Sequence, residues 1–401
     1  MIDIERLRQE PDIYRDSLKK RFKPEDQIDQ LLEVDNAWRQ AATAIDSLRA
    51  ERNTLTVSKE SAQVSMERLG EIKTRLQELI AQELDIRTKR HDLITRVPNL
   101  LSEEVPVGEG ETANKVTKTV GEDKLAKGRP HEELMASHSW LDTATAAETS
   151  GARFRYLKGD AALAHLSLVN KAIRFAASRG FTAVIPPVIT KGANLEAGGF
   201  FPEGMEDTFR LAEDLFLSGT SEYLLVALAG NQTLDLKKGP VRFVGFSTCY
   251  RKEAGSYGKD VKGVIRQHQF DKVEMVSVCL PEESEAEHQF LLKMQEDFLT
   301  ELGLPYQVVI IGSGDTEKKA IKRYDIDSWF PGQERYRETH SVSNCTDYQA
   351  RGLAIKYTQE DGQIAYAHTL NGTLYTERTL LALIENTQDE AGAVHLPADL
   401  I

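Results

Sequence analysis

Up to about residue 97 the chain is nearly free of glycine and rich in Glu, Gln, Arg, Lys and Leu, and from Leu69 its apolar positions keep a heptad. Leu69, Ile72, Leu76, Leu79, Ile86, Leu93 and Val97 alternate in steps of three and four once Glu83 and Arg90 fill the two gaps. A stripe recurring about every 3.5 residues needs a second helix to cover it. Just upstream, Ile28, Trp38, Ile45, Leu48 and Leu55 recur at helical spacing, and the small, polar "SKESAQVS" at 58–65 reads as a reversal. The pattern predicts an antiparallel hairpin over 27–97 that projects into solvent, with arms of about 30 residues, each roughly 45 Å long. Arg49, Arg52, Lys59, Lys73, Arg75, Arg87 and Lys89 stud its surface among acids. Charge alone fits a solvated face laced with ion pairs, or an arm that meets a polyanion.

Pro98 ends the hairpin, and the Glu-, Pro- and Gly-rich stretch that follows reads as a linker. Beyond it glycine becomes frequent. Short β-branched or aromatic runs such as "VRFVGFSTCY", "YQVVII" and "QIAYAHTL" appear among helical stretches at 160–179, 284–301 and 378–387. Strands follow one another without strict βαβ alternation, which predicts an α+β domain on a mainly antiparallel sheet flanked by helices. No phosphate-loop or dinucleotide fingerprint is present.

The totals are those of a folded chain, 401 residues with 40% hydrophobic and 28% charged side chains. A net charge of −13 means that any nucleic-acid contact must come from a local basic surface. Cys249, Cys279 and Cys345 lie far apart without a CxxC pair, so neither a disulfide framework nor a zinc site is expected. No run is long enough to span a membrane and the N-terminus lacks a signal-peptide core, so a cytoplasmic chain without a membrane partner is expected.

The chemistry concentrates in residues 248–276. A strand over 243–251 delivers Arg251, with Glu253 just beyond it. A second strand, from Val264, should put Arg266, His268, Phe270, Lys272 and Glu274 on one face by alternation. Such a set offers guanidinium to phosphate and an aromatic plane to a base, leaving a carboxylate for a second, cationic group. A charged outer hairpin face fits the spacing equally well.

"CYRKEAGSYGKDVKGVIRQHQFDKVE" resembles motif 2 of the seryl-tRNA synthetases, which are class II aminoacyl-tRNA synthetases of bacterial type. The resemblance spans the chain. "MIDIERLRQEPD" with the hairpin resembles the family's tRNA-binding arm (1–103), and 104–401 its catalytic domain. "RGFTAVIPPVI" resembles motif 1 (160–189), the family's dimer interface, and "TLNGTLYTERTLLALIEN" stands at motif 3 (369–388). "GTSE" and "YDIDSWFPGQERYRETHSVSNCTDYQAR" resemble two further signatures. What this implies is a homodimeric serine–tRNA ligase that makes seryl-adenylate from serine and ATP with Mg2+, then charges tRNA(Ser). By the same resemblance Arg251, Glu253, Arg266, Phe270, Glu338, Ser341 and Arg378 bind ATP, with Glu338 on the magnesium side. Thr220, Glu222, Arg251, Glu274, Asn371 and Thr373 bind serine; Arg251, Glu274 and Arg378 are catalytic; Arg49, Arg52, Lys59, Lys73 and Arg75 meet tRNA.

Two stretches depart from the family. Asn371 to Arg378 is one step shorter than usual, which could move Thr373 or turn the following helix, and "IGSGDTEKKAIKRYD" differs from the usual run. Two alternatives stand beside the main reading: a paralogue that loads a carrier protein, and a silent RNA-binding relative. The retained arm speaks against the first. The retained Arg251, Glu274 and Arg378 speak against the second.

Overall fold

The computed structural model describes residues 1–57, 62–254 and 264–401, so Lys59 and the glycine-rich loop of the 248–276 stretch lie outside the described residues. The chain forms two compact units, Ile2–Val97 and Pro98–Ile401 with Met1.

In the first unit, α1 (Ile4–Gln9) and α2 (Pro11–Lys20) precede two long helices, α3 (Asp26–Val57) and α4 (Ala62–Arg96). Residue 35 meets 90, 38 meets 83 and 51 meets 68, so α3 and α4 run antiparallel. Ile45, Ile72 and Leu76 are buried between them, with Leu48, Leu55 and Leu79 against the cluster. Both polar gaps in the heptad are filled by cross-helix bonds. Trp38 Nε1 donates to Glu83 at 2.8 Å. Arg90 reaches Asp35 at 2.6 Å and lies 4.5 Å over the Trp38 ring. Arg8 of α1 holds the other Asp35 oxygen at 2.6 Å. Burial pushes the Asp35 carboxyl up, but the two guanidinium groups outweigh it and hold it below its ordinary value. On the surface, Arg49 pairs with Asp46 and Arg75 with Glu78, while Arg52 and Lys73 are exposed.

The second unit is built on an eight-stranded sheet. Its strands are β1 (Lys115–Val120), β2 (Thr182–Val184), β3 (Val241–Tyr250), β4 (Gln269–Cys279), β5 (Tyr306–Ile310), β6 (Lys322–Phe330), β7 (Arg335–Asn344) and β8 (His368–Thr376). The order is β1-β5-β6-β7-β8-β4-β3-β2, antiparallel throughout except for the β2–β3 pair. Helices α5 (Gly159–Ala177), α7 (Ser284–Glu301) and α8 (Glu377–Asn386) contribute to the main core, and the short α6 (Glu222–Ala227) to a second one. Leu168, Phe175, Phe298 and Leu383 from the helices meet Val273, Met275, Leu374 and Tyr375 from the sheet. The division between units falls at Val97/Pro98, ahead of the boundary expected at 103/104. The expected linker is pinned into the second unit: Asn99 is buried and its Nδ2 donates to the carbonyls of Lys319 (3.0 Å) and Cys345 (2.9 Å).

Two bulges interrupt the sheet side by side. Glu338 pairs with Asp327 and His340 with Ile326, leaving Thr339 over; Thr373 pairs with Glu274 and Tyr375 with Val273, leaving Leu374 over. An extra residue exchanges the two faces of a strand beyond it. His340 ties the bulges together, its Nε2 donating to the Leu374 carbonyl at 3.1 Å and its Nδ1 2.9 Å from Thr339 Oγ1. One expectation is corrected here. The strand foreseen from Val264 starts only at Gln269, so alternation does not reach back to His268. That ring packs near Phe154 and Phe209 instead, at 5.4 and 6.0 Å.

Candidate active site

The face of β4, β7 and β8 opposite the main helical core floors a cavity of about 320 Å³. β3 ends at Tyr250 and hands Arg251 to its rim; Arg251 Nε donates to the Gly219 carbonyl at 3.2 Å, and the guanidinium stands 5.2 Å over the Phe270 ring. Alternation along β4 sets Phe270, Lys272 and Glu274 on the cavity side and buries Val273 and Met275 in the core. On β8, Asn371 and Thr373 line the cavity. The Leu374 bulge then sends Tyr375 into the core and brings Thr376 to the same side as Thr373, and Arg378 lines the cavity from the first turn of α8. The Thr339 bulge does the same on β7, so that Glu338 and Ser341 share a face. Thr220 and Glu222 enter from the start of α6. Every substrate-site residue expected from the sequence lines this one cavity, Glu253 and Arg266 included.

The cavity has two electrical zones. At one end Glu253 and Arg266 pair at 2.9 Å, and Glu338 receives Arg378 at 3.1 Å and Arg323 at 3.0 Å. Burial pushes the Glu338 carboxyl up, but the two arginines prevail and hold it down at about 2. An adjoining cleft of about 780 Å³ shares Arg266, Arg323, Glu338 and Arg378 and continues past Arg335 and Arg337 on one hand and Asp315, Asp325 and Asp327 on the other. At the other end two carboxylates sit in fully lined surroundings. Glu274 Oε2 lies 3.0 Å from Lys272 Nζ and accepts longer bonds from Thr373 (3.4 Å) and Thr220 (3.5 Å). Glu222 accepts from Lys319 and Gln349, each at 2.7 Å, and from Asn371 at 3.1 Å. Glu338 and Ser341 offer oxygen donors beside the phosphate zone, a donor set that suits Mg2+.

Sequence reasoning missed Phe200, Glu317, Lys319, Arg323 and Thr376, all of which line the cavity, and gave Lys272 no role. The charged run "TEKKAIKR" was the available signal, since such a cluster just before a core strand is unusual. Among the described residues His165, Asp271 and Glu377 bring three potential metal-ligand atoms within 4.8 Å. The group is already satisfied: His165 spans Asp271 (2.8 Å) and Tyr375 (2.9 Å), and Arg155 is ion-paired with Glu377. The three cysteines are buried free thiols. No helix among the described residues is long and apolar enough to cross a membrane.

A mainly antiparallel sheet that presents arginine, aromatic ring and carboxylates to one cavity defines a class II aminoacyl-tRNA synthetase core, and residues 206–387 match the family model described as tRNA synthetase class II core domain (G, H, P, S and T). Residues 1–101 match the seryl-tRNA synthetase N-terminal domain. The serine–tRNA ligase of Mycolicibacterium smegmatis is 39% identical over 408 residues, covering 100% of this chain and 98% of that one. A crystal structure of seryl-tRNA synthetase from Pyrococcus horikoshii complexed with ATP superposes with a TM-score of 0.91 at 35% identity, covering 100% and 97% of the two chains. The cytoplasmic serine–tRNA ligase of Naegleria fowleri in complex with AMP gives 0.84 at 29% identity, covering 97% and 93%. The chain belongs to the seryl-tRNA synthetase family.

Proposed function

We propose that the chain is a serine–tRNA ligase that activates serine with ATP and transfers it to tRNA(Ser). The observation that carries this reading is the convergence of β4, β7, β8, the start of α6 and Arg251 just beyond β3 on one cavity, cationic toward one end and carboxylate-lined at the other. A carboxylate oxygen of serine attacks the α-phosphorus, the bond to the β-phosphate breaks, and pyrophosphate leaves. The terminal ribose hydroxyl of the tRNA then attacks the acyl carbon and AMP departs. Serine enters as a carboxylate, so the first step needs no base. Positioning and charge stabilisation do the work.

Arg251 bridges the α-phosphate and the serine carboxylate, Phe270 and Arg378 sandwich adenine while Glu253 reads its edge, and Arg266 and Arg378 take the distal phosphates. The Arg266–Glu253 pair is released when ATP enters, each partner passing to its own part of the nucleotide. Glu338 and Ser341 would hold Mg2+, which would supply neutralisation of phosphate charge. Thr220, Glu222, Glu274, Asn371 and Thr373 form the amino-acid end. The hairpin of α3 and α4 is the tRNA arm, with Arg49, Arg52, Lys59, Lys73 and Arg75 as phosphate contacts. A second copy covers the exposed Leu163 and Leu166 of α5 and Ile185 after β2, making a homodimer that works in the cytoplasm.

Serine-dependent ATP–pyrophosphate exchange, run beside alanine and threonine and followed by charging of tRNA(Ser), tests the reading. Exchange without charging favours the carrier-loading alternative, and neither activity favours the silent one. Replacing residues 27–97 by a short linker should spare exchange and abolish charging. In the intact chain, charging should weaken steeply with salt as phosphate contacts release counterions.

A further inference from the structure

Lys319 is a buried cation that the proposed mechanism leaves without a role. Its side chain is 4% exposed, with Nζ 2.7 Å from Glu222, 3.3 Å from Glu317 and 4.0 Å over the Phe200 ring. The stem is confined as well. A Cβ added to Gly199 would come within 3.1 Å of Lys319 Cβ, and the Lys319 carbonyl accepts from Asn99. The ammonium is thus anchored from both ends.

Glu222 is correspondingly committed. One of its oxygens accepts from Lys319, the other from Gln349 and Asn371, and its side chain is 5% exposed. Three donors around one carboxyl favour its ionised form. Asn371 turns its amide nitrogen toward Glu222, which leaves the amide oxygen as the end available to a ligand. Glu274 is held differently: its one short partner is Lys272, on a side chain 11% exposed, and its threonine bonds are long. A substrate ammonium can therefore take over Glu274 far more readily than Glu222.

We propose that Lys319 is a positioning residue for the amino-acid substrate: it commits Glu222 to orienting Asn371 and Gln349 and leaves Glu274 as the carboxylate that receives the substrate ammonium. This rests on the ligase reading and refines it, since Glu222 then acts on serine through Asn371 rather than directly.

Burial pushes the Glu222 carboxyl up, Lys319 opposes this, and Glu317 and Glu274 push it further up; Cys345 is the other titratable neighbour of Lys319. Without Lys319 the carboxyl loses the one cation that opposes those three effects, so its protonated form is favoured and its acceptor role toward Asn371 weakens. The test is Lys319→Met in the full chain, read by serine-dependent ATP–pyrophosphate exchange. Serine KM should rise at least about tenfold near neutral pH while ATP KM stays within about twofold. Serine KM in the variant should also climb more steeply as pH falls than it does in the parent or in Lys319→Arg. Adding Glu222→Gln to Lys319→Met should remove that excess slope by removing the titrating group. Lys319→Gln carries the same expectation if the methionine variant does not fold. A Lys319 variant that melts earlier but keeps the parent's serine KM and the parent's pH profile overturns the proposal. A parent that shows no serine-dependent exchange overturns the ligase reading beneath it, which is a separate outcome.

Discussion

Thr373 shows how a single hydroxyl can select a substrate. Its Oγ1 donates to Glu274 at 3.4 Å, and its side chain is buried in the cavity wall. Serine differs from alanine by one hydroxyl, and a site built to bond that hydroxyl leaves polar groups unpaired when alanine enters. Valine keeps the shape of threonine without its hydroxyl. Thr373→Val should therefore lower the ratio of kcat/KM for serine over alanine about tenfold while still excluding threonine, as exchange with the three amino acids would reveal. Unchanged discrimination would remove Thr373 from the selective set. At this scale the sequence was informative where residues alternate on a regular strand: Phe270 and Glu274 share a face as the two-residue period requires. It was silent on Lys319, whose partners Glu222 and Phe200 are remote in sequence.

The elements carry two devices of opposite legibility. The heptad stripe disclosed the hairpin, and its two polar gaps turned out to be cross-helix contacts rather than flaws. Asp35, 2% exposed at its side chain, ties α1, α3 and α4 together through Arg8 and Arg90. Asp35→Asn would strip the charge from a buried carboxylate facing two guanidinium groups and should cost about 3 kcal/mol. Hydrogen exchange of α3 and α4 in the full chain should accelerate, with exchange of the β-sheet unaffected; unchanged protection of the hairpin would show that the network is dispensable. The paired bulges were not legible. Simple alternation from Asn371 and Thr373 puts Tyr375 next on the cavity side. The Leu374 bulge instead buries Tyr375 against His165 and puts Thr376 on the cavity side, and Arg378 reaches Glu338 from the first turn of α8. The seven-step spacing from Asn371 to Arg378 thus still brings both to the cavity.

Across the whole molecule, acid should loosen the catalytic unit before the surface carboxylates titrate. His288 and His340 are buried, donate to the carbonyls of Val342 (3.2 Å) and Leu374 (3.1 Å), and are each lowered to about 4 by desolvation. A histidine depressed in the folded state adds stability above its unfolded pKa of about 6.5 and loses it as pH falls toward the folded value. Each ring should forfeit about 2 kcal/mol between neutral pH and pH 5. Urea unfolding of the full chain should show this decline, and His340→Gln should flatten it by roughly half. A free energy of unfolding that stays level over the same range would mean that the rings titrate normally.

The sequence alone determined the helical hairpin and the α+β class, and its local motifs pointed to residues that the structure gathers in one cavity, because period and local motif are written in consecutive positions. Only the tertiary structure decided how β7 and β8 exchange faces at their bulges, how Asn99 locks the expected linker into the catalytic unit, and how Lys319 comes to neutralise Glu222. Those outcomes depend on hydrogen bonds and charges between residues far apart in the chain, where the partner of a buried group is set by packing and leaves no periodic trace.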